Sequence, residues 1–203
     1  RTHHAMSSLE STLKQHDYLV VNRDYPSTKQ SIETLAEYHI QPMIDACLIQ
    51  QPEHIIVITH SLGGLVFEKY LETHALPELS HVVMLSPPHH GSPLANMLHH
   101  HFLYQTIMGP AGEELLTTDI NNTSSIPKHV KFGIIAGNFN LVPFSHAVFH
   151  EENDGKVSVS SAKADNMTDF IVLPVSHTFM MNNHLTQRTI LNFLQDGAFR
   201  HTI

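Results

Sequence analysis

Apolar positions recur along this chain in two periods, and the switches between them lay out an α/β protein. Residues 5–16 carry Met6, Leu9 and Leu13 at spacings of three and four, the repeat of an amphipathic helix. Residues 18–22 form a short β-rich run closed by the turn residues Asp24, Tyr25, Pro26 and Ser27. Residues 28–50 return to the helical period with Ile32, Leu35, Ala36, Ile40, Ile44 and Leu48, and Pro42 should kink or break that helix. Residues 54–59 are continuously apolar, as a strand buried on both faces of a parallel sheet would be. A helix over 61–73, strands over 81–85, 131–136 and 170–173, and a closing helix over 182–195 complete the alternation. That last helix carries Leu185, Ile190, Leu191 and Leu194 as its buried stripe. Between residues 91 and 127 the period is lost, which marks an insertion over one end of the sheet. No repeat or linker divides the chain, so residues 1–203 read as one domain with a lid or cap insertion at 91–127.

Composition narrows the function classes. The chain is 41% hydrophobic and 15% charged, enough to bury a core, with a net charge of −8. The acidic balance argues against nucleic acid, whose phosphates call for clustered Lys and Arg. No apolar run approaches the ~18 residues of a membrane span. A single cysteine, Cys47, makes no internal disulfide and is consistent with a reducing, cytoplasmic setting. The 19 histidines are unusual: protonating all of them would turn a charge of −8 into +11. Arg1 is no initiator, and residues 1–13 show no signal-peptide pattern, so the expectation is a chain that begins mid-protein.

The segment that carries chemistry is Thr59-His60-Ser61-Leu62-Gly63-Gly64, in which an apolar strand runs into a turn of small residues and then a helix. This is the layout of a nucleophile elbow, with Ser61 exposed at the carboxyl edge of the sheet. Gly63 and Gly64 would let the helix pack close to the strand, and the backbone N–H of Leu62 would face a developing oxyanion. Thr59 stands where glycine is usual. A serine needs a base, and the base an orienting acid, following in the order acid then histidine in loops after later strands. Asp154, in Asn153-Asp154-Gly155, and His177, in Val175-Ser176-His177, meet both conditions. Glu151, Glu152 and Asp165 are rival acids, and His184 a rival base on the last helix. The lesser reading of Asp154 is a plain Asp-Gly turn residue.

Taken together, residues 59–64, Asn-Asp-Gly-Lys-Val at 153–157, Leu-Pro-Val-Ser-His at 173–177, Asp-Tyr-Pro-Ser-Thr at 24–28, Pro-Pro-His-His-Gly-Ser at 87–92 and Gly-Pro-Ala-Gly at 109–112 resemble the bacterial esterase/lipase branch of the α/β-hydrolase superfamily. The resemblance spans nearly the whole chain. It implies the α/β-hydrolase fold, a mostly parallel sheet with helices on both faces, and a carboxylic ester hydrolase with Ser61 as nucleophile, Asp154 as acid and His177 as base. No cofactor is implied, and the partner is a small acyl ester or lipid. Such enzymes carry a second oxyanion donor on an earlier strand. Here the first helix begins almost at Arg1, so that donor and the N-terminal strands are expected upstream of Arg1.

His60, Pro88, His89, Met97 and Phe102 are the candidate substrate-lining residues. The apolar cluster from Met97 to Met108 reads equally as lid, acyl-chain wall or plain core. His89-His90, His99-His100-His101 and the His146/His150 pair do not assemble a recognisable ligand set, so no metal site is expected. The same triad would also serve an acyltransferase, and a non-catalytic hydrolase-fold binding protein is the rival from another class.

Overall fold

A computed structural model of the chain describes residues 3–27, 29–91, 124–140 and 151–201. The chain enters through a 3₁₀ turn, His3–Met6, into α1 (Ser7–Lys14). Next comes a helical stretch of α2 (Ile32–Leu35), a π turn (Ala36–Ile40) and α3 (Gln41–Leu48). The αβ core then alternates β1 (Ile55–His60), α4 (Gly63–Leu71), β2 (Leu79–Leu85), β3 (Lys131–Gly137) and β4 (Asp169–Leu173). A 3₁₀ turn (Met180–Asn182) leads into α5 (His184–Asp196). The four strands pair in sequence order, every neighbour parallel, so all their carboxyl ends reach one edge.

Burial on both faces explains the apolar runs. Along β2 and β3 successive side chains go to opposite faces, as the pleat requires. Val82, Met84, Phe132, Ile134 and Ala136 pack with Leu35, Leu65, Val66 and Phe67 of α2 and α4. Val83, Leu85 and Ile135 pack with Leu9 and Leu13 of α1 and with Ile190, Phe193 and Leu194 of α5. Helices thus cover both faces of a parallel sheet, the expected architecture. Gly133 makes room on the second face, since a Cβ there would lie 2.7 Å from Phe193 and 2.8 Å from Phe199.

Two expected strands need correction. Residues 18–22 are not a strand: Tyr18 and Val20 pack against the second core cluster, and the Asn22 amide donates to the His3 carbonyl and the Glu10 carboxylate. A cavity of about 260 Å³ is lined by both residues 18–23 and residues 55–60. Among the described residues the run pairs with no strand of the sheet. β1 is consequently an edge strand among the described residues, and its four central residues are half-buried rather than buried on both sides.

The helix expected over 28–50 runs over residues 32–48, starting where the Ser31 hydroxyl caps the Thr34 N–H at 3.2 Å. Pro42 does not break it. The proline sits in the first turn of α3, where its missing N–H costs least, and the wider π turn before it takes up the mismatch. At the other end of the chain the Asn183 side chain caps α5, and Gly197, at φ 72°, ends it. No helix among the described residues is long and apolar enough to cross a membrane. The expected insertion at 91–127 lies almost wholly outside the described residues.

Candidate active site

The carboxyl edge of the sheet gathers the chemistry. Past the strand ends the ladder continues: Ser61 N–H donates to the Leu85 carbonyl at 2.8 Å, Ser86 N–H to Ile135 at 2.9 Å and Asn138 N–H to Leu173 at 3.0 Å. Ser61 thereby leaves β1 held by its neighbour and turns at once, with φ 55°. A non-glycine residue in that left-handed region costs about 1–3 kcal/mol and persists where the surroundings enforce it. The enforcing contacts are tight. A Cβ on Gly64 would lie 2.8 Å from Met84 Sδ and 3.2 Å from Pro87, so α4 starts almost on top of β2. Thr59, in the place where glycine is usual, fits because α4 opens with glycines: its Oγ1 lies 3.4 Å from that same Cβ position. Leu62 is the N-cap of α4, where the first N–H groups have no intrahelical acceptor.

Asp154 and His177 meet behind this edge. Asp154 lies in a turn closed by Gly155 at φ 99°, so the Asp-Gly turn and the predicted acid are the same residue. Its Oδ1 accepts from the N–H groups of Lys156 (3.0 Å) and Val157 (2.8 Å). Its Oδ2 accepts from His177 Nδ1 at 2.7 Å. A carboxylate only accepts, so Nδ1 carries the hydrogen and Nε2 is the basic nitrogen of the neutral ring. His177 N–H also donates to the Asp154 carbonyl at 3.0 Å, tying the two loops by their backbones. Both side chains are at most 2% exposed. Burial pushes the Asp154 carboxyl up, but the hydrogen bond and charge of His177, with hydrogen bonds from Ser86 and Val157, hold it below its usual value.

His60 packs beside His177 at this edge. The His60 ring, one residue before Ser61, packs on the His177 ring with centroids 4.6 Å apart. The end of β3 adds a close approach, for a Cβ on Gly137 would stand 2.3 Å from the Val175 carbonyl oxygen and 2.8 Å from Asp154 Cβ. The rival groups sit elsewhere. Glu151, Glu152, Asp165 and His184 are all exposed, and Glu151 accepts from the Ser160 hydroxyl at 2.6 Å.

Of the candidate substrate-lining residues, His60 and Pro88 are buried at this edge. His89 is buried in a pair with Glu68 of α4, its Nε2 3.1 Å from Oε2, and its Nδ1 lies 3.3 Å from the Ala162 carbonyl. The other Glu68 oxygen accepts from Ser124. Met97 and Phe102 lie outside the described residues, as do His99 to His101, His146 and His150. Among the described residues no three His, Cys, Asp or Glu side chains come together as a metal site would need. Sequence reading missed Ser86, Gly137 and Glu68. Ser86 and Gly137 stand at strand ends beside Asp154, and a small residue closing an apolar run is the one signal they carry.

A family model for the PGAP1-like alpha/beta domain matches residues 3–142 of this chain. The chain belongs to that family. The match includes Ser61 and ends before Asp154 and His177. No curated protein sequence matches significantly. Solved structures agree in fold. The mature form of the Bacillus licheniformis lipase BlEst2 superposes with a TM-score of 0.68 at 17% identity, covering 86% of this chain and 76% of that one. The chain spans only 48% of the propeptide form of that lipase. Phospholipase PlaB from Legionella pneumophila gives 0.68 at 21% identity, with 96% and 56% covered. An esterase from Pyrococcus furiosus gives 0.58 at 19%, with 94% and 74% covered. The PGAP1-like domain seen here has the α/β-hydrolase fold of lipases and esterases, as the sequence motifs imply.

Proposed function

We propose that this domain hydrolyses carboxylic esters of small acyl or lipid-like substrates through Ser61, His177 and Asp154. The observation that carries the reading is the buried Asp154–His177 pair at the carboxyl edge of the sheet, with His60 packed beside it and followed by a serine held in left-handed backbone. In the first half-reaction His177 Nε2 takes the Ser61 proton as Oγ bonds to the acyl carbon. The Leu62 N–H donates to the oxyanion, and His177 then passes the proton to the departing alcohol oxygen. Water attacks the acyl-enzyme in the second half, giving its proton to His177. The same proton returns to Ser61 Oγ as the acid leaves.

The test is hydrolysis of a panel of p-nitrophenyl esters of increasing chain length by the chain and by Ser61→Ala and His177→Ala. Release of nitrophenol lost in both variants supports the reading, and adding an alcohol acceptor shows whether the acyl group goes to water or to alcohol. Release unaffected by either substitution contradicts it.

A further inference from the structure

We propose that Glu68 and His89 are positioning residues, their buried pair tying the loop of Asp154 to the helix that follows Ser61. Among the described residues two carboxylate–imidazole pairs are buried, Asp154–His177 and Glu68–His89. The first belongs to the site above, and the second has no part in the reaction. Both ring nitrogens of His89 face acceptors, Nε2 the Glu68 carboxylate at 3.1 Å and Nδ1 the Ala162 carbonyl at 3.3 Å. A carbonyl oxygen only accepts, so Nδ1 carries a hydrogen. Without a second proton between Nε2 and Oε2 two lone pairs would meet, and that proton stays on the ring because imidazole is the stronger base. The ring thus donates in both directions, and the other Glu68 oxygen accepts from Ser124.

Each end of this arrangement belongs to a segment the site needs. Glu68 stands one turn past Gly64 on α4. Positions four apart share a helix face, and this face meets the loop after β2 twice. Gly64 abuts Pro87, where a Cβ would lie 3.2 Å away, and Glu68 takes His89. Through Nδ1 the ring reaches the segment that carries Asp154. There Ala162 N–H donates to the Ser158 carbonyl at 3.1 Å, Val159 N–H to Glu152 at 2.9 Å and Asp154 N–H to Val157 at 3.1 Å, which ties residues 152–162 into one unit. His90 N–H donates to the Ser161 carbonyl at 3.2 Å and doubles the contact. The route from Glu68 through His89 to Ala162 therefore joins the nucleophile's helix to the acid's loop without passing through the sheet.

The consequence for rate rests on the hydrolase reading above; the consequence for geometry does not. The experiment compares the unaltered chain with Glu68→Gln and with the double variant Glu68→Leu/His89→Leu. Apolar replacement of a whole buried ion pair is often neutral for stability, so the double variant separates position from folding. Proton NMR follows the downfield His177 Nδ1–H signal, and ester kinetics with fluorophosphonate labelling follow Ser61. The double variant is expected to shift or broaden the Nδ1–H signal and to lower kcat and the labelling rate by about tenfold to a hundredfold with KM unchanged, the scale of a misplaced catalytic group. Glu68→Gln can still donate to a neutral His89 and accept from Ser124, so it is expected to recover most of that loss. An unchanged Nδ1–H signal or unchanged kcat in the folded double variant overturns the proposal. So does a rise in KM alone, which would assign His89 to substrate binding, or a loss in Glu68→Gln as large as in the double variant. Should the double variant not fold, His89→Gln, whose single amide nitrogen cannot span both acceptors, is read in the same way. If the unaltered chain reacts with neither ester nor probe, the hydrolase reading fails, and the NMR comparison still decides on Glu68 and His89.

Discussion

Replacing Gly137 by alanine puts a single methyl group against the Asp154–His177 loops. The added carbon would stand 2.3 Å from the Val175 carbonyl oxygen and 2.8 Å from Asp154 Cβ. Ordinary contact begins near 3.4 Å, so the Val175 backbone must retreat by about 1 Å. Neither obstacle is the free end of a flexible side chain. Val175 is buried between β4 and His177, and Asp154 is fixed by the N–H groups of its own turn. Overpacking of this kind costs about 1–3 kcal/mol. In a domain of this size each kcal/mol lowers Tm by about 2–4 °C. Activity is expected to fall further than stability. The displaced segments carry both members of a 2.7 Å hydrogen bond, and a 1 Å misplacement of catalytic groups costs on the order of 10²-fold. Thermal unfolding by circular dichroism and kcat/KM on a short-chain ester, measured on the same preparation, separate the two effects. Wild-type kcat/KM in a folded Gly137→Ala would refute the argument that this close approach holds the acid and the histidine in register.

Other perturbations test other parts of the account. Gly64→Ala drives a Cβ to 2.8 Å from Met84 Sδ and 3.2 Å from Pro87, and should destabilise by about 1–3 kcal/mol in chemical denaturation. Glu68→Ala deprives buried His89 and Ser124 of their shared acceptor and should cost about 1–3 kcal/mol per stranded group, read as a lower denaturation midpoint. The Asp154 carboxyl is held below its ordinary 3.8 in the fold. Its stabilising contribution is therefore complete above that value and is lost as pH falls through the lower folded value. Unfolding measured across the acid range should show a loss of stability in the unaltered chain that Asp154→Asn lacks. Burial pushes the Cys47 thiol up, against a smaller opposing effect of Arg23, so alkylation at neutral pH should be slower in the native chain than in urea.

The triad candidates were legible because their chemistry is written in short segments. An apolar strand running into His-Ser-Leu-Gly-Gly announces an elbow, and an Asp-Gly turn and a histidine each following a later strand meet a required order. The strands β2, β3 and β4 and helices α4 and α5 were legible for the same reason, since burial on two faces leaves near-continuous apolar runs. What failed was what depends on partners distant in sequence. Residues 18–22 have strand-like side chains, yet a strand exists only where a neighbour closes its ladder, and among the described residues none does. Pro42 signals strain without saying that a π turn will absorb it. His89 is read from the sequence as substrate-lining, and its buried pairing went unseen because Glu68 lies 21 residues away on α4. Ser86 gave no sign of its contact: Gly137, whose N–H its hydroxyl oxygen accepts, lies 51 residues away at the end of β3.

The most direct test of the central claim is intact mass after incubation with a fluorophosphonate, on the unaltered chain and on Ser61→Ala in parallel. The account predicts one phosphonyl adduct on the unaltered chain and none on the variant. Such a result would mean that the strained serine is chemically activated by the buried pair beside it. No adduct on the unaltered folded chain, or an adduct that survives in Ser61→Ala, would contradict it.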